Sequence, residues 1–239
     1  MSDFETVIYE KSDHLAWVTL NRPRALNSYN IRMRDELFAV LGAIQDDSEV
    51  RVVILKGAGE KAFCAGADLT EFLTAPSPVF ARTARFERDI WKRFTEMRVP
   101  FIAALHGYVL GSGIEMSLCC DIRLCSEDAQ FGLPEVALGL IPGAGGTQTL
   151  PRVVGRSPAL DLLTTGRWLK ADEARRIKLV NRVLPRAILI PEAEKLAQLI
   201  AQYDPVAVAH AKQAVVQGLD LSLSAGLQLE HRLALALQI

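Results

Sequence analysis

No stretch of this chain runs to the roughly eighteen consecutive apolar residues that a membrane-spanning helix needs. The opening residues, MSDFETVIYEK, carry acids where a secretory leader would carry an apolar segment, so no such leader is expected. A surplus of either charge is missing too: 27 basic residues stand against 28 acidic ones, a net charge of −1. That balance gives no reason to expect nucleic acid or an anionic membrane as a partner. The cysteines, Cys64, Cys119, Cys120 and Cys125, contain no Cys-x-x-Cys pair, and the nearest histidine is His106. No metal site is expected from them. They read as buried free thiols, which fits a cytoplasmic address.

What is present is apolar: half of the 239 residues, enough for a well-cored chain of one large domain or two small ones. Residues 5–10 and 14–20 read as strands around a Ser12-Asp13-His14 turn. Capping residues at Asn27 to Asn30 precede a helix with Met33, Leu37, Val40, Leu41 and Ile44 on one face. Residues 51–56 (RVVILK) form a nearly continuous apolar run, as expected of a strand covered on both faces. A small-residue turn over 57–67 and a loop at 74–78 (TAPSP) follow. The pattern then predicts a helix over 79–98, with Phe86, Ile90, Trp91, Phe94 and Met97 inward and Pro100 ending it. Strands at 101–105 and 121–125 flank a short helix at 113–120. Helices at 145–153, 157–164, 171–178, 192–203 and 205–217 complete the reading, with a short strand at 180–184. The end of the chain is leucine-rich, and Leu223, Leu227, Ala234 and Leu237 fall on helical spacing. Such a face needs a partner surface.

Two short stretches, Gly111-Ser112-Gly113-Ile114-Glu115 and Phe131-Gly132-Leu133-Pro134-Glu135, each end in a glutamate among glycine and apolar residues. An acid in dry surroundings is costly, and two of them invite a shared acid and base role. Either could equally be a plain helix-start acid favoured by the dipole. The glycine turn entering a helix at Ser112 offers backbone N–H groups in the manner of an oxyanion hole. Ala65-Gly66-Ala67-Asp68-Leu69 is a second small-residue turn after a strand, and two such turns could serve one carbonyl oxygen. Ile141 to Thr147 (IPGAGGT) leads into a helix and either supports the site or only turns the chain. Gly57-Ala58-Gly59-Glu60-Lys61-Ala62 matches G-x-G-x-x-A, but a turn restarts where a dinucleotide helix should begin. A serine nucleophile at Ser112 would need glycine at 110 and 114, where Leu110 and Ile114 stand.

Taken in order, these pieces resemble the crotonase superfamily, and enoyl-CoA hydratases most. The matching text is Leu20-Asn21-Arg22-Pro23, Ala25-Leu26-Asn27, Ala62 to Leu69, His106 to Glu115, Cys120 to Arg123, Phe131 to Glu135 and Ile141 to Gln148. The resemblance implies an α/β fold, a spiral of repeated ββα units over 1–190 that holds CoA and the active site. It also implies a helical trimerisation region over 191–239, which looks short for the family. The expected activity is hydration of a trans-2-enoyl-CoA thioester, as in β-oxidation of fatty acids. An acyl-CoA thioester is the expected ligand, with CoA part of the substrate and no separate cofactor. Carried over by position, Glu115 and Glu135 are the catalytic pair, and the N–H groups of Ala67 and Ser112 form the oxyanion hole. Arg24, Ala25, Leu26, Ala65, Asp68 and Leu69 fall where CoA is bound. Phe72, Leu73, Phe86 and Leu140 fall around the acyl pocket. A homotrimer or a dimer of trimers is expected. Enoyl isomerisation or thioester hydrolysis is the alternative chemistry, and a non-catalytic or RNA-binding oligomer the alternative of another class.

Overall fold

The computed structural model describes residues 4–72 and 88–237. Two sheets organise it. The larger contains β1 (Val7–Ser12), β2 (Leu15–Leu20), β3 (Val52–Gly57), β5 (Phe101–Leu105), β7 (Ile122–Ser126) and β10 (Arg182–Leu184), in that spatial order. The smaller contains β4 (Ala62–Cys64), β6 (Tyr108–Leu110), β8 (Gln130–Gly132) and β9 (Trp168–Lys170). Among the described strands, only β1 and β9 run antiparallel to their neighbours. The pairs β3/β4, β5/β6 and β7/β8 each place one strand in each sheet, so the chain advances as a spiral. The sequence pattern missed the smaller sheet because three-residue strands are too short to display alternation.

Helix α1 (Ile31–Asp46) begins where Asn30 accepts a hydrogen bond from the Met33 N–H, and its buried face contains the five expected apolar residues. A sixth buried residue on it is Glu36. Its carboxylate accepts from the N–H groups of Glu5, Thr6 and Val7, the Thr6 hydroxyl and the Arg32 guanidinium, and so pins the start of β1 to the helix. Burial alone would raise the Glu36 pKa; the bonds from Thr6, Arg32 and the backbone outweigh it and hold the group below its ordinary value. The stabilisation is therefore present above the ordinary carboxylate range and is lost as pH falls through the lowered folded value. Glu36→Gln should cost roughly 1–3 kcal/mol at neutral pH, because N–H donors lose their acceptor. Thermal melts should show the gap to wild type narrowing in acid.

β3 is buried on both faces. Val53 and Leu55 face the main core, while Val52 and Ile54 meet Leu189, Ala193 and Ala197 of α8 (Leu189–Ala201). The expected helix over 79–98 is corrected. Arg88 and Asp89 are not helical, and Asp89 instead caps a shorter helix, α3 (Ile90–Glu96), accepting from the Lys92 N–H. Ile90, Phe94 and Met97 are buried as the periodicity predicts. The 74–78 loop, the 79–87 part of that helix, Leu73 and Phe86 lie outside the described residues.

Beyond α8, α9 (Pro205–Gly218) and α10 (Leu223–Leu235) form a pair. Lys212 ties α9 to the sheet by donating to Asp121 at 2.8 Å and to the Val99 carbonyl at 2.9 Å. No helix among the described residues is long and apolar enough to cross a membrane. The four cysteines are free, and burial pushes the Cys64 thiol up to about 11.

Candidate active site

Two glycine turns meet beside the smaller sheet. β4 ends at Cys64 and turns at Gly66 (φ +107°); β6 ends at Leu110 and turns at Gly111 (φ +49°). A Cβ built on Gly111 would lie 3.5 Å from the Gly66 Cα and 3.0 Å from the Glu135 Oε1. The left-handed backbone and the absent side chain together let these turns touch. Among the described residues, the N–H groups of Ala67 and Ser112 have no hydrogen-bond acceptor. Ser112 opens helix α4 (Ser112–Leu118), every residue of which is buried. At its far end the buried Arg123 donates to the Ser117 and Cys120 carbonyls at 3.4 and 2.6 Å, fixing the helix axially.

Glu115 lies in the first turn of α4 and is 2 % exposed. Its Oε1 accepts the N–H groups of Ala144 at 2.7 Å and Gly146 at 2.9 Å. Two donors aimed at one oxygen favour negative charge there. Of the two readings of the 141–147 segment, it therefore supports the site, through the Ala144 and Gly146 N–H groups. Its cue was the Gly-Ala-Gly-Gly run, which frees backbone N–H groups at the start of α5 (Gly146–Val154).

Glu135 is carried by a 3-10 turn (Pro134–Leu138) that leaves β8 and closes at Gly139, with the Leu140 N–H bonded to the Glu135 carbonyl. Its Oε2 is buried without a hydrogen-bond partner among the described residues. Burial chiefly, and the charge of Glu115 after it, push the Glu135 carboxyl above its ordinary value. The same chemical group therefore sits in two different environments.

The remaining expected residues divide. Arg24 and Ala25 form a 3-10 turn (Pro23–Ala25), with Leu26 next in a left-handed conformation. The Ala65 N–H donates to the Leu26 carbonyl, which joins this turn to the Ala65–Asp68 turn. Asp68 is engaged by Arg22 and Thr70, and Leu69 is exposed. Leu140 is 38 % exposed just beyond Glu135, and Phe72 ends a short helix, α2 (Leu69–Phe72). A serine nucleophile at Ser112 would need a histidine and an acid beside it, and the nearby candidates His106 and Asp121 stand at opposite ends of β5. Asp121 accepts from the Phe101 N–H at the start of β5, while His106 follows the end of that strand. Ala62 begins β4 where a dinucleotide-binding helix would have to start. No group of three metal-ligating side chains occurs among the described residues.

The spiral of paired strands with its helical C-terminal region is the fold of crotonase-type enzymes. The crystal structure of the enoyl-CoA hydratase from Bacillus anthracis superimposes with a TM-score of 0.92 and 40% sequence identity, over 96% of this chain and 89% of that one. The family description "Enoyl-CoA hydratase/isomerase" matches residues 10–238. The short-chain-enoyl-CoA hydratase of Clostridium acetobutylicum is 42% identical over 95% of this chain and 87% of its own length. The crotonyl-CoA hydratase of Syntrophomonas wolfei is 39% identical over the same shares, 95% and 87%. The chain belongs to the enoyl-CoA hydratase/isomerase family, and it is an enzyme.

Proposed function

We propose that the protein adds water across the double bond of a trans-2-enoyl-CoA thioester to give a 3-hydroxyacyl-CoA. The observation that carries this reading is the inequality of the two glutamates. Glu115, with two N–H groups on one oxygen, is suited to be the base. Glu135, raised by burial and by its neighbour, is suited to hold a proton and give it up. As the water oxygen bonds to the β-carbon, its proton passes to Glu115, and the α-carbon takes the proton of Glu135. Addition from one side gives a syn product. Glu115 then releases its proton to solvent and Glu135 takes one up. The charge of Glu115 acts on the Glu135 carboxyl, so an apparent pKa in a rate profile is not to be given to one residue alone.

Charge that develops on the thioester oxygen is received by the N–H groups of Ala67 and Ser112, each worth about 3–4 kcal/mol in the transition state. CoA enters as part of the substrate, against Arg24, Ala25, Leu26, Ala65, Asp68 and Leu69. The names of the curated relatives support hydration over the alternative crotonase reactions. Crotonyl-CoA in heavy-oxygen water tests the reading. The conjugated thioester absorbance should fall as heavy oxygen enters the product. Persistent absorbance, or a shifted double bond with no heavy oxygen incorporated, would defeat it.

The leucine-rich end supports assembly. Leu219 and Leu223 are each 80 % exposed, and Val215, Leu227 and Leu235 extend the apolar surface along α9 and α10. That face fits a homotrimer or a dimer of trimers, a copy number that light scattering reads directly. Four free thiols suit a reducing cytoplasm.

A further inference from the structure

The turn that presents the Ala67 N–H is anchored by a neighbouring segment. It is tied to the 22–29 segment on both sides of Ala67: the Gly66 carbonyl accepts from the Tyr29 N–H at 2.8 Å, and the Asp68 N–H donates to the Tyr29 carbonyl at 2.8 Å. The 22–29 segment is itself strained, with Leu26 at φ +53° and Asn27 at φ +55°, and such backbone persists only when its surroundings hold it. Two side-chain devices do so. Asn27, fully buried, accepts from the Arg22 N–H at 2.8 Å and donates to the Ala58 and Ala62 carbonyls at 2.9 and 2.8 Å. Arg22 then reaches across the segment, donating to the Ser28 carbonyl at 2.6 Å and pairing with Asp68 at 2.8 Å. The second oxygen of Asp68 accepts from the hydroxyl and the N–H of Thr70. The Arg22 and Asp68 side chains are only 21 % and 12 % exposed, so the pair is much less screened than a surface ion pair.

We propose that the Arg22–Asp68 ion pair is a positioning device for the reaction, setting the Ala67 N–H against the thioester oxygen. This rests on the hydratase reading above. It assigns Asp68 a role that sequence position alone did not: its carboxylate acts on the enzyme's own backbone rather than on CoA. Arg22 becomes a functional residue in the same step. Because Arg24 and Ala25 stand between Arg22 and Leu26, the proposed CoA-binding turn and one oxyanion donor are built on a single clamped segment.

The test uses the full chain and the variants Arg22→Met, Asp68→Asn, their double and Arg22→Lys. Each of the first two should lower kcat about 10- to 100-fold, with at most a smaller rise in KM for crotonyl-CoA, as expected of a displaced catalytic group. The double should be no worse than either single, since both remove one interaction. Arg22→Lys should recover part of the loss. The direct readout is the infrared carbonyl stretch of bound butyryl-CoA carrying carbon-13 at the thioester carbon. Wild type should lower that frequency, and Arg22→Met and Asp68→Asn should lower it less. Glu36→Gln, destabilised while both members of the ion pair remain, should retain the wild-type frequency, which separates positioning from general loss of stability. A raised KM with unchanged kcat in Asp68→Asn, or additive effects in the double, overturns the clamp while leaving the hydratase reading intact. A wild-type protein that neither hydrates crotonyl-CoA nor shifts the carbonyl overturns both.

Discussion

Glu115→Gln is expected to lower kcat about 10²–10⁴-fold, the range of a lost general base. It should do so with little loss of stability. The amide oxygen of glutamine can still accept the N–H groups of Ala144 and Gly146, so the 141–147 segment keeps its anchor. What glutamine cannot do is take a proton from water. A second consequence follows at Glu135. The charge of Glu115 contributes to the raised Glu135 pKa, after the larger effect of burial. With that charge removed, the Glu135 carboxyl should titrate closer to its ordinary value, although burial keeps it above. Crotonyl-CoA turnover, a thermal melt and a carbon-13 NMR titration of labelled glutamate measure the three effects. Near wild-type turnover would remove Glu115 from the chemistry. Lost turnover with a collapsed melt would instead make it a structural acid.

The parts of this site that were legible in the sequence are those where local chemistry decides. The α1 face was readable because helical spacing and burial agree at Met33, Leu37, Val40, Leu41 and Ile44. β3 was readable because a strand packed on both faces must be apolar throughout. Glu115 and Glu135 stood out because acids are costly beside glycine and leucine. The four three-residue strands of the smaller sheet were not readable, since their definition lies in neighbours distant along the chain. α3 begins late because Asp89 can cap it, a local choice that the apolar spacing of Phe86 and Ile90 conceals. The Arg22–Asp68 pair has no local signature at all. Arg22 and Asp68 lie in two separate matching stretches, and only the fold brings them to 2.8 Å.

Gly113→Ala should impair both stability and turnover, although alanine is ordinarily the better helix residue by about 1 kcal/mol. The site decides the sign. Gly113 is the second residue of α4, and a Cβ there would overlap the Cys64 carbonyl oxygen and stand 3.0 Å from the Cys64 Cβ. The obstacle is backbone of β4, so no rotamer relieves it, and the helix must move away from the strand. Overpacking of this kind costs roughly 1–3 kcal/mol, more than the gain in helix propensity. The displacement falls on the element that carries both Ser112 and Glu115, and it opens the contact between the Gly66 and Gly111 turns. A shift near 1 Å at a reacting centre can cost about 100-fold in rate. Gly226→Ala is the matched control. Gly226 lies within α10, where a Cβ would meet only the Gly218 carbonyl oxygen at 3.7 Å and its Cα at 3.9 Å, ordinary contact distances. That variant should melt at or above the wild-type temperature with unchanged kcat. If Gly113→Ala behaves like Gly226→Ala, the close seating of α4 on β4 is not what holds the two oxyanion donors and the base in register.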